Sequence, residues 1–185
     1  MKESELAAVV VEWLERNRWD VYQEVKVFGG RVADIVAIGP DGASWVIECK
    51  ARASQSVIHQ ALKHVGSATW ISVAIPALIR DEARRRFENQ INGKLHGWIS
   101  IQEWRNTRYY PGPLPQNEHI DPRLDVRQFV RPEYKRWAKA GSASGIQWPP
   151  YNQTREVLAV GRHVLPVDAD LSGSVTIKRG RKVSK

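Results

Sequence analysis

The chain has 185 residues, which is enough for one hydrophobic core or for one core with a small appendage. Its 28 Lys and Arg residues outnumber 20 Asp and Glu, and its single cysteine, Cys49, excludes an internal disulfide framework and disfavours a structural zinc site. No apolar stretch approaches the roughly 18 residues of a membrane span, and the N-terminal residues lack the pattern of a signal peptide, so a cytoplasmic protein is expected.

The excess of positive charge lies almost entirely in the second part of the sequence. Residues 1–105 hold 14 basic and 13 acidic side chains, whereas residues 106–185 hold 14 and 7. A basic segment joined to a nearly neutral one is typical of proteins that hold a polyanion, because neutralised phosphates release their counterions. A basic tail that only keeps the protein in solution is the alternative.

The chain begins with an amphipathic helix predicted over residues 5–17 and capped by Ser4, and a strand predicted over residues 19–28 follows. Each element carries a glutamate of interest, Glu5 on the helix and Glu24 on the strand. Both are candidates for a site, and both are alternatively ordinary exposed charges.

Two apolar runs come next, at residues 34–38 and 45–47, with Gly39-Pro40-Asp41-Gly42 between them. Proline fixes one backbone angle and glycine supplies a positive one, so the runs are predicted to form an antiparallel hairpin. A three-residue loop pairs Gly39 with Ala43.

This register brings Asp34 opposite Glu48, and Lys50 shares a face with Glu48 because side chains alternate along a strand. Two carboxylates can hold Mg²⁺, which prefers oxygen ligands. A lysine beside them can orient a water or offset the charge that grows on a phosphorane. The three residues therefore indicate metal-assisted hydrolysis of a phosphodiester. The alternative is an exposed strand face with charges that occur together by chance.

A helix capped by Ser54 or Ser56 is predicted after the hairpin, and a strand, a basic helix and a second strand follow it. These last three cover residues 69–76, 77–90 and 95–101. Two apolar strands joined by a helix are expected to be parallel. On the first of these helices, His59 and His64 are five residues apart, which does not suit two ligands on one helical face. We expect both to be surface or phosphate-contacting residues.

Beyond residue 105 the pattern is weaker. Three prolines make residues 109–115 a stiff extended link. Helices are predicted over residues 126–140, interrupted by Pro132, and over residues 153–163. The last residues, 173–185, are expected to be disordered when alone.

Asp34 followed by Glu48-Cys49-Lys50 resembles the PD-(D/E)XK nuclease superfamily. The stretches 30–37 and 45–50 are similar to its core strands, especially in resolvase-like and repair-associated members, although Ala33 stands where proline is usual. The resemblance implies an α/β restriction-endonuclease-like fold, a mixed β-sheet flanked by helices, over residues 1–105. A basic, partly helical appendage over residues 106–172 and the basic tail over residues 173–185 complete the predicted domains.

The resemblance also implies a function, that of a Mg²⁺-dependent DNA endonuclease that Mn²⁺ also supports, with the basic C-terminal part as a DNA clamp. Asp34 and Glu48 would hold the metal, Lys50 would serve the attacking water or the transition state, and Gln60 would orient the phosphate or Lys50. The residues expected to contact DNA are Arg31, Arg52 and Lys63. In resolvase-like members a glutamate of the first helix joins the site, and Glu5 is its counterpart.

Two other functions are compatible with the same residues. One is a weakly catalytic or non-catalytic nucleic-acid-binding module of a repair, recombination or packaging complex. The other is an RNA nuclease. A homodimer is open as well, because a double-strand cut needs two sites whereas a nick needs one.

Overall fold

A mixed β-sheet forms the centre of the protein in the computed structural model, which describes residues 1–102, 106–136 and 140. These residues belong to one compact unit, Met1–Trp148. The helices and strands of the described residues are α1 (Glu3–Arg16), β1 (Asp20–Lys26), β2 (Val32–Ile38), β3 (Ser44–Cys49), α2 (Gln55–Leu62), β4 (Trp70–Pro76), α3 (Asp81–Ile91), β5 (Gly97–Gln102), β6 (Asn106–Pro111) and α4 (Glu133–Arg136).

The strands lie in the sheet in the order in which they follow along the chain. β1, β2 and β3 are antiparallel to one another, β3, β4 and β5 are parallel, and β6 is antiparallel to β5. The parallel pair β4 and β5 is joined through α3, as the strand, helix, strand pattern predicts. The expected α/β class, a mixed sheet flanked by helices, is therefore confirmed.

Helices cover both faces of the sheet, and each face has its own apolar cluster. α1 buries Leu6, Ala7, Val10 and Leu14, which recur at helical spacing, against one face. α2 and α3 contribute to the cluster on the other face. Each fully buried aliphatic side chain stabilises the fold by about 1.5 to 3 kcal/mol, so the sheet is held from both sides.

The hairpin between β2 and β3 has the predicted turn. Gly39 N donates to Ala43 O at 2.8 Å, and Gly42 adopts a positive φ of 81° that its missing Cβ permits. Ile35 pairs with Ile47, and this register continues to Asp34 and Glu48. The hairpin and its register are confirmed.

Two predicted helix starts are wrong. α1 begins at Glu3 with Lys2, not Ser4, at its N-cap. α3 begins only at Asp81 because the backbone of Ala77 is still held by the sheet, where its N–H donates to Ile101 O at 2.9 Å. None of the described helices has the length and apolarity required to cross a bilayer.

The largest difference concerns residues 109–115, which were expected to form an extended link. Residues 106–111 instead form β6, and the ring of Tyr110 stacks on Trp98 with centroids 4.6 Å apart. Proline is tolerated there because β6 is an edge strand of the sheet and Pro111 is its last residue. The sheet therefore continues past residue 105.

The helix expected over residues 126–140 begins differently from the prediction. A 3₁₀ turn covers Val126–Gln128 and α4 covers Glu133–Arg136, with Pro132 between them. Val126 is fully buried in the cluster beneath α2 and α3, so this segment packs on the sheet. The predicted helix over residues 153–163 and the tail over residues 173–185 lie outside the described residues.

Candidate active site

Three carboxylates stand in one row across β1, β2 and β3. Gln23 pairs with Ile35 and Val25 with Ala33, which brings the intervening Glu24 opposite Asp34. Asp34 in turn lies opposite Glu48. We call Glu24, Asp34 and Glu48 the carboxylate row. Neighbouring strands are about 4.8 Å apart, so the three charges repel one another strongly unless a proton or a cation is present.

Two members of the row are almost completely buried, since Glu24 is 7% and Glu48 3% exposed. Glu24 also has a positive φ of 52°. A non-glycine residue in that conformation is strained, and such strain persists only where the surrounding structure enforces it. The negative charge of Glu24 contributes to the raised pKa of Asp34.

Asp34 lies at the centre of the row, and its surroundings disfavour the ionised carboxylate. Burial, then the negative charges of Glu48 and Glu24, raise the pKa of Asp34 to about 8. A hydrogen bond of 2.8 Å from Cys49 N to Asp34 Oδ2 and the charge of Lys50 act in the opposite direction without offsetting this. An added cation beside Asp34 would relieve the same repulsion.

Glu48 contacts a histidine that the sequence interpretation assigned to the surface. His64 Nε2 lies 3.1 Å from Glu48 Oε1, and both side chains are 3% exposed. Glu48 Oε1 nevertheless has no hydrogen-bond partner among the described residues. The expected surface position of His64 is wrong. Only a pair of His64 with His59 was considered from the sequence, whereas His64 is buried against Glu48 of β3.

Lys50 follows β3 and reaches α1. Its Nζ donates a hydrogen bond of 2.8 Å to Glu3 Oε1. The side chain of Lys50 is 30% exposed and that of Glu3 is 27% exposed. Burial acts to lower the pKa of Lys50. The hydrogen bond to Glu3 and the negative charges of Glu3, Asp34 and Glu48 together outweigh burial, so the pKa of Lys50 is raised above its ordinary value. Lys50 is therefore a protonated cation next to the carboxylate row.

The first helix supplies Glu3 to this cluster and not Glu5. Glu5 is exposed, and its Oε2 accepts a hydrogen bond of 2.8 Å from Lys2 N at the start of α1. Residues two apart on a helix are about 200° apart around its axis, so Glu5 does not point to Lys50 when Glu3 does. The sequence contained no signal that would have distinguished the two glutamates.

The other predicted site residues lie on α2 and the loops around it. Gln60 is on α2, one turn before His64, and its Oε1 is buried without a hydrogen-bond partner among the residues that the structure describes. Arg52 and Lys63 are exposed. Arg31 is exposed as well, and its guanidinium donates to Lys63 O.

Arg31 and Lys63 line a small surface cavity of about 10 Å³ together with His64. This is close to the space of one water molecule. Phe28 and Val65 also line this cavity and are 51% and 54% exposed, so both apolar and basic side chains surround it. His64 thus connects the buried Glu48 with an exposed basic rim.

The donor set suits a hard divalent cation. Within residues 1–102, 106–136 and 140, no group of three or more His, Cys, Asp or Glu side chains is placed so that it could hold a metal ion. Mg²⁺ does not need one, since it is commonly held by one or two carboxylates, with waters and substrate phosphates as its other ligands. The raised pKa of Asp34 and the buried Glu48 Oε1, which contacts His64 but accepts no hydrogen bond among the described residues, both fit the binding of a cation at this point.

No protein-family model matches the chain, and no curated protein matches it. Among solved structures it is similar to the SPO1766 protein of unknown function from Silicibacter pomeroyi, with a TM-score of 0.52 over 86% of this chain and 92% of that one. The two sequences are 15% identical, so this similarity shows the fold alone. The α/β fold is thus shared with a known structure.

Proposed function

We propose that the protein is a metal-dependent DNA endonuclease of the PD-(D/E)XK kind. The observation that carries the proposal is the facing pair Asp34 and Glu48 on adjacent strands, with Lys50 two residues beyond Glu48. Glu48 is buried and Asp34 half-buried, their charges repel each other, and Glu48 Oε1 accepts no hydrogen bond among the described residues. Such an arrangement is costly for stability alone, which supports a role in holding a cation.

Each residue has a distinct task in this proposal. Asp34 and Glu48 hold the cation, and Glu24 adds negative charge behind them. A bound Mg²⁺ supplies Lewis-acid polarisation of the phosphoryl oxygen and lowers the pKa of a water. Lys50 donates to the oxygen that gains charge in the transition state, which is a large electrostatic contribution in a partly buried site.

Lys50 must leave Glu3 in order to serve the substrate. The pair is partly exposed, and ion pairs of this kind are worth about 1 kcal/mol or less, so the exchange of Glu3 for a phosphate oxygen is not costly. Gln60, with its buried and unpartnered oxygen, orients the phosphate or Lys50. Arg31, Arg52 and Lys63 contact the DNA backbone. The proposal includes a cytoplasmic location.

A second function is favoured by the Lys50–Glu3 hydrogen bond itself. If Glu3 holds Lys50 permanently, the fold serves as a nucleic-acid-binding module that cuts slowly or not at all. Such a module binds DNA with an affinity that falls steeply with salt and shows no metal-dependent cleavage. Binding and cleavage measured on the same preparation separate the two functions.

The test is cleavage of plasmid, nicked, branched and single-stranded DNA, and of a matched RNA strand, with Mg²⁺ or Mn²⁺. Glu48→Gln and Lys50→Ala are each expected to lower the rate by roughly a hundredfold or more. Matched controls are Glu88→Gln and Lys94→Ala, which change the same residue types on α3 and just after it. Undiminished cleavage in both site variants would overturn the assignment of the site.

A further inference from the structure

One end of the sheet carries exposed apolar side chains that the proposed function does not use. Among the described residues, the exposed large apolar side chains are Met1 (50%), Phe28 (51%), Val32 (40%), Val65 (54%) and Ile79 (93%). Phe28 and Val65 line one surface cavity, and Ile79 lies in the loop directly after β4. Exposed apolar side chains that cluster beside polar groups mark binding surfaces.

We propose that Phe28 stacks on an unpaired base of the substrate and that Ile79 covers a second base. The protein then acts on single-stranded or locally unpaired DNA and not on continuous duplex. The inference rests on the proposed function, because that function requires DNA at the carboxylate row. It adds a class of substrate and two residues that contact it.

Phe28 lies in the tight turn between β1 and β2, with about half of its side chain open to solvent. Val27 N donates a hydrogen bond of 2.8 Å to Arg31 O, which closes the turn. Gly29 and Gly30 have positive φ angles of 76° and 73°, a conformation that is costly for residues with a Cβ. The turn therefore presents the ring in a fixed place, as a stacking surface requires.

This turn lies at the end of the sheet that carries the proposed site. β2 is antiparallel to β3, so β2 starts where β3 ends, next to Lys50. Val32 is the first residue of β2, and Asp34 lies two residues further on, about 7 Å away at the usual rise of a strand. A DNA strand advances about 3.4 Å per nucleotide in a duplex, so a base at Phe28 is a few nucleotides from a phosphate at Asp34.

Ile79 lies on the other side of the site. β4 is parallel to β3 and next to it, so the loop after β4 leaves the sheet at the same end as Lys50. At 93% exposure, the side chain of Ile79 gains almost nothing from packing in the folded protein. The ends of β2 and β3 are thus flanked by Phe28 in the β1–β2 turn and by Ile79 beyond β4.

Basic side chains accompany both apolar ones. Arg31 and Lys63 line the same cavity as Phe28 and are exposed, and the exposed Arg80 directly follows Ile79. Cations for the phosphates and an aromatic ring for the bases are the combination by which proteins hold single strands. In a paired duplex each base is covered by its neighbours, so the ring of Phe28 would find no face to stack on.

A lipid surface would also engage apolar and basic side chains. DNA fits this end of the sheet better, because a single strand would bring a phosphodiester to Asp34 and Glu48 while its bases reach the apolar side chains on both sides. Binding of anionic vesicles is therefore included in the test as the competing outcome.

The test compares paired with unpaired DNA without cleavage. Fluorescence anisotropy in EDTA measures the affinity of the full-length protein for a labelled single strand, for the fully paired duplex of the same sequence, and for that duplex with a short internal loop of mismatched bases. We expect the two unpaired DNAs to bind roughly tenfold more tightly than the paired duplex.

Phe28→Leu keeps an apolar side chain but removes the ring. It should weaken binding of the two unpaired DNAs by about fivefold or more and that of the paired duplex by less than about twofold, whereas Phe28→Trp should retain wild-type affinity. Ile79→Ser should weaken binding of the unpaired DNAs by about threefold. Phe129→Leu is the matched control and should change nothing, because that ring packs against the core.

A second measurement locates the contact. Single strands that carry 5-iodouracil at one position each are irradiated with the protein, and the adduct is mapped by mass spectrometry. Trypsin cuts after Lys26 and Arg31, so an adduct on Phe28 appears on the peptide of residues 27–31. We expect that adduct in the wild type and its loss in Phe28→Leu. Equal affinity for paired and unpaired DNA, wild-type affinity of Phe28→Leu for the unpaired DNAs, or no adduct on this peptide overturns the inference.

Failure of this inference and failure of the nuclease give different results. Metal-dependent cleavage at equal rates on paired and unpaired DNA, unchanged in Phe28→Leu, overturns the stacking role and leaves the nuclease intact. Binding of unpaired DNA through Phe28 in a protein that cuts no DNA overturns the nuclease and leaves the stacking residue. Binding of anionic vesicles through Phe28 in a protein that binds no DNA overturns both.

Discussion

Lys50 Nζ donates a hydrogen bond of 2.8 Å to Glu3 Oε1, so the first turn of α1 holds the ammonium group of Lys50. α1 packs on the face of the sheet opposite α2. This contact links the start of the chain to the end of β3. Glu3 is the partner of Lys50 in the structure, and in the proposed mechanism a phosphate oxygen takes its place. Substitution of Glu3 removes the ion pair but leaves Lys50 in place, so it tests whether the pair itself is needed for cleavage.

Glu3→Gln should preserve cleavage within about threefold and change the free energy of unfolding by less than about 1 kcal/mol, because the pair is partly exposed. Without Glu3 the pKa of Lys50 falls, so the alkaline limit of the cleavage profile should move to lower pH. Cleavage rates across pH and urea denaturation check this. Glu5→Gln is the matched control, because Glu5 contacts only Lys2 N in the described hydrogen bonds. A Glu3→Gln variant that loses cleavage as fully as Lys50→Ala would show that Glu3 itself takes part in catalysis.

Stability of the metal-free protein should decrease as pH rises. The pKa of Asp34 is about 8 in the folded protein and about 4 in an unfolded chain, so the folded state binds the proton more tightly across this interval. Between about pH 4 and about pH 8 the free energy of unfolding should fall, by at most about 1.4 kcal/mol per pH unit for one proton.

Asp34→Asn should flatten this dependence and stabilise the metal-free protein near pH 8, since the amide oxygen still accepts the hydrogen bond from Cys49 N and carries no charge. Urea denaturation of both proteins at several pH values in EDTA measures the effect. Mn²⁺ should stabilise the wild type at the alkaline end and not the variant. Parallel pH profiles for the two proteins would show that Asp34 does not hold the proton.

Contacts of Arg31 and Lys63 with DNA should appear in the salt dependence of binding. Each phosphate contact contributes a slope of about 0.9 to the plot of log affinity against log salt on duplex DNA. Arg31→Ala and Lys63→Ala should therefore each lower the slope by about one. Fluorescence anisotropy in EDTA gives the slopes without cleavage. Arg86→Ala is the control, because Arg86 is exposed on α3 and paired with Glu82. Equal slopes in all three variants would exclude the rim around the small cavity as a DNA contact.

Two glycines should differ in their tolerance of alanine. Gly42 has a positive φ of 81° but open space around it, so Gly42→Ala should cost roughly 1 to 2 kcal/mol of stability. Gly97 has a φ of 146°, and a Cβ there would lie 2.3 Å from Tyr110 O. Gly97→Ala should be clearly more destabilising because it separates β5 from β6. Urea denaturation ranks the two, and the reverse order would contradict the pairing of these strands.

Local chemistry accounts for what the sequence predicts well. Gly39-Pro40-Asp41-Gly42 defines its own turn, and the turn fixes the register of β2 and β3, so the meeting of Asp34 and Glu48 follows from the chain alone. The parallel pairing of β4 and β5 is also predictable, because two apolar strands joined by a helix are normally parallel.

Contacts between distant elements were not predictable in this way. His64 meets Glu48 only because α2 packs on β3 and β4, and helical spacing within α2 contains no trace of that partner. The contact of Glu3 with Lys50 likewise joins α1 to a residue 47 positions further along the chain. β6 was missed because Pro111, at its end, and Pro113 and Pro115, just after it, resemble a linker, while its pairing with β5 is a tertiary property.

The three-residue loop of the β2–β3 hairpin also bears on the order of folding. Closing so short a loop costs little entropy and is fast, so Asp34 and Glu48 come together early, while both still face water and repel each other weakly. The repulsion becomes strong only when α2 and α1 arrive from distant parts of the chain and exclude water. The docking of α1 and α2 is therefore opposed by the repulsion between Asp34 and Glu48. A divalent cation in the refolding buffer would favour this docking and would have little effect on the formation of the hairpin.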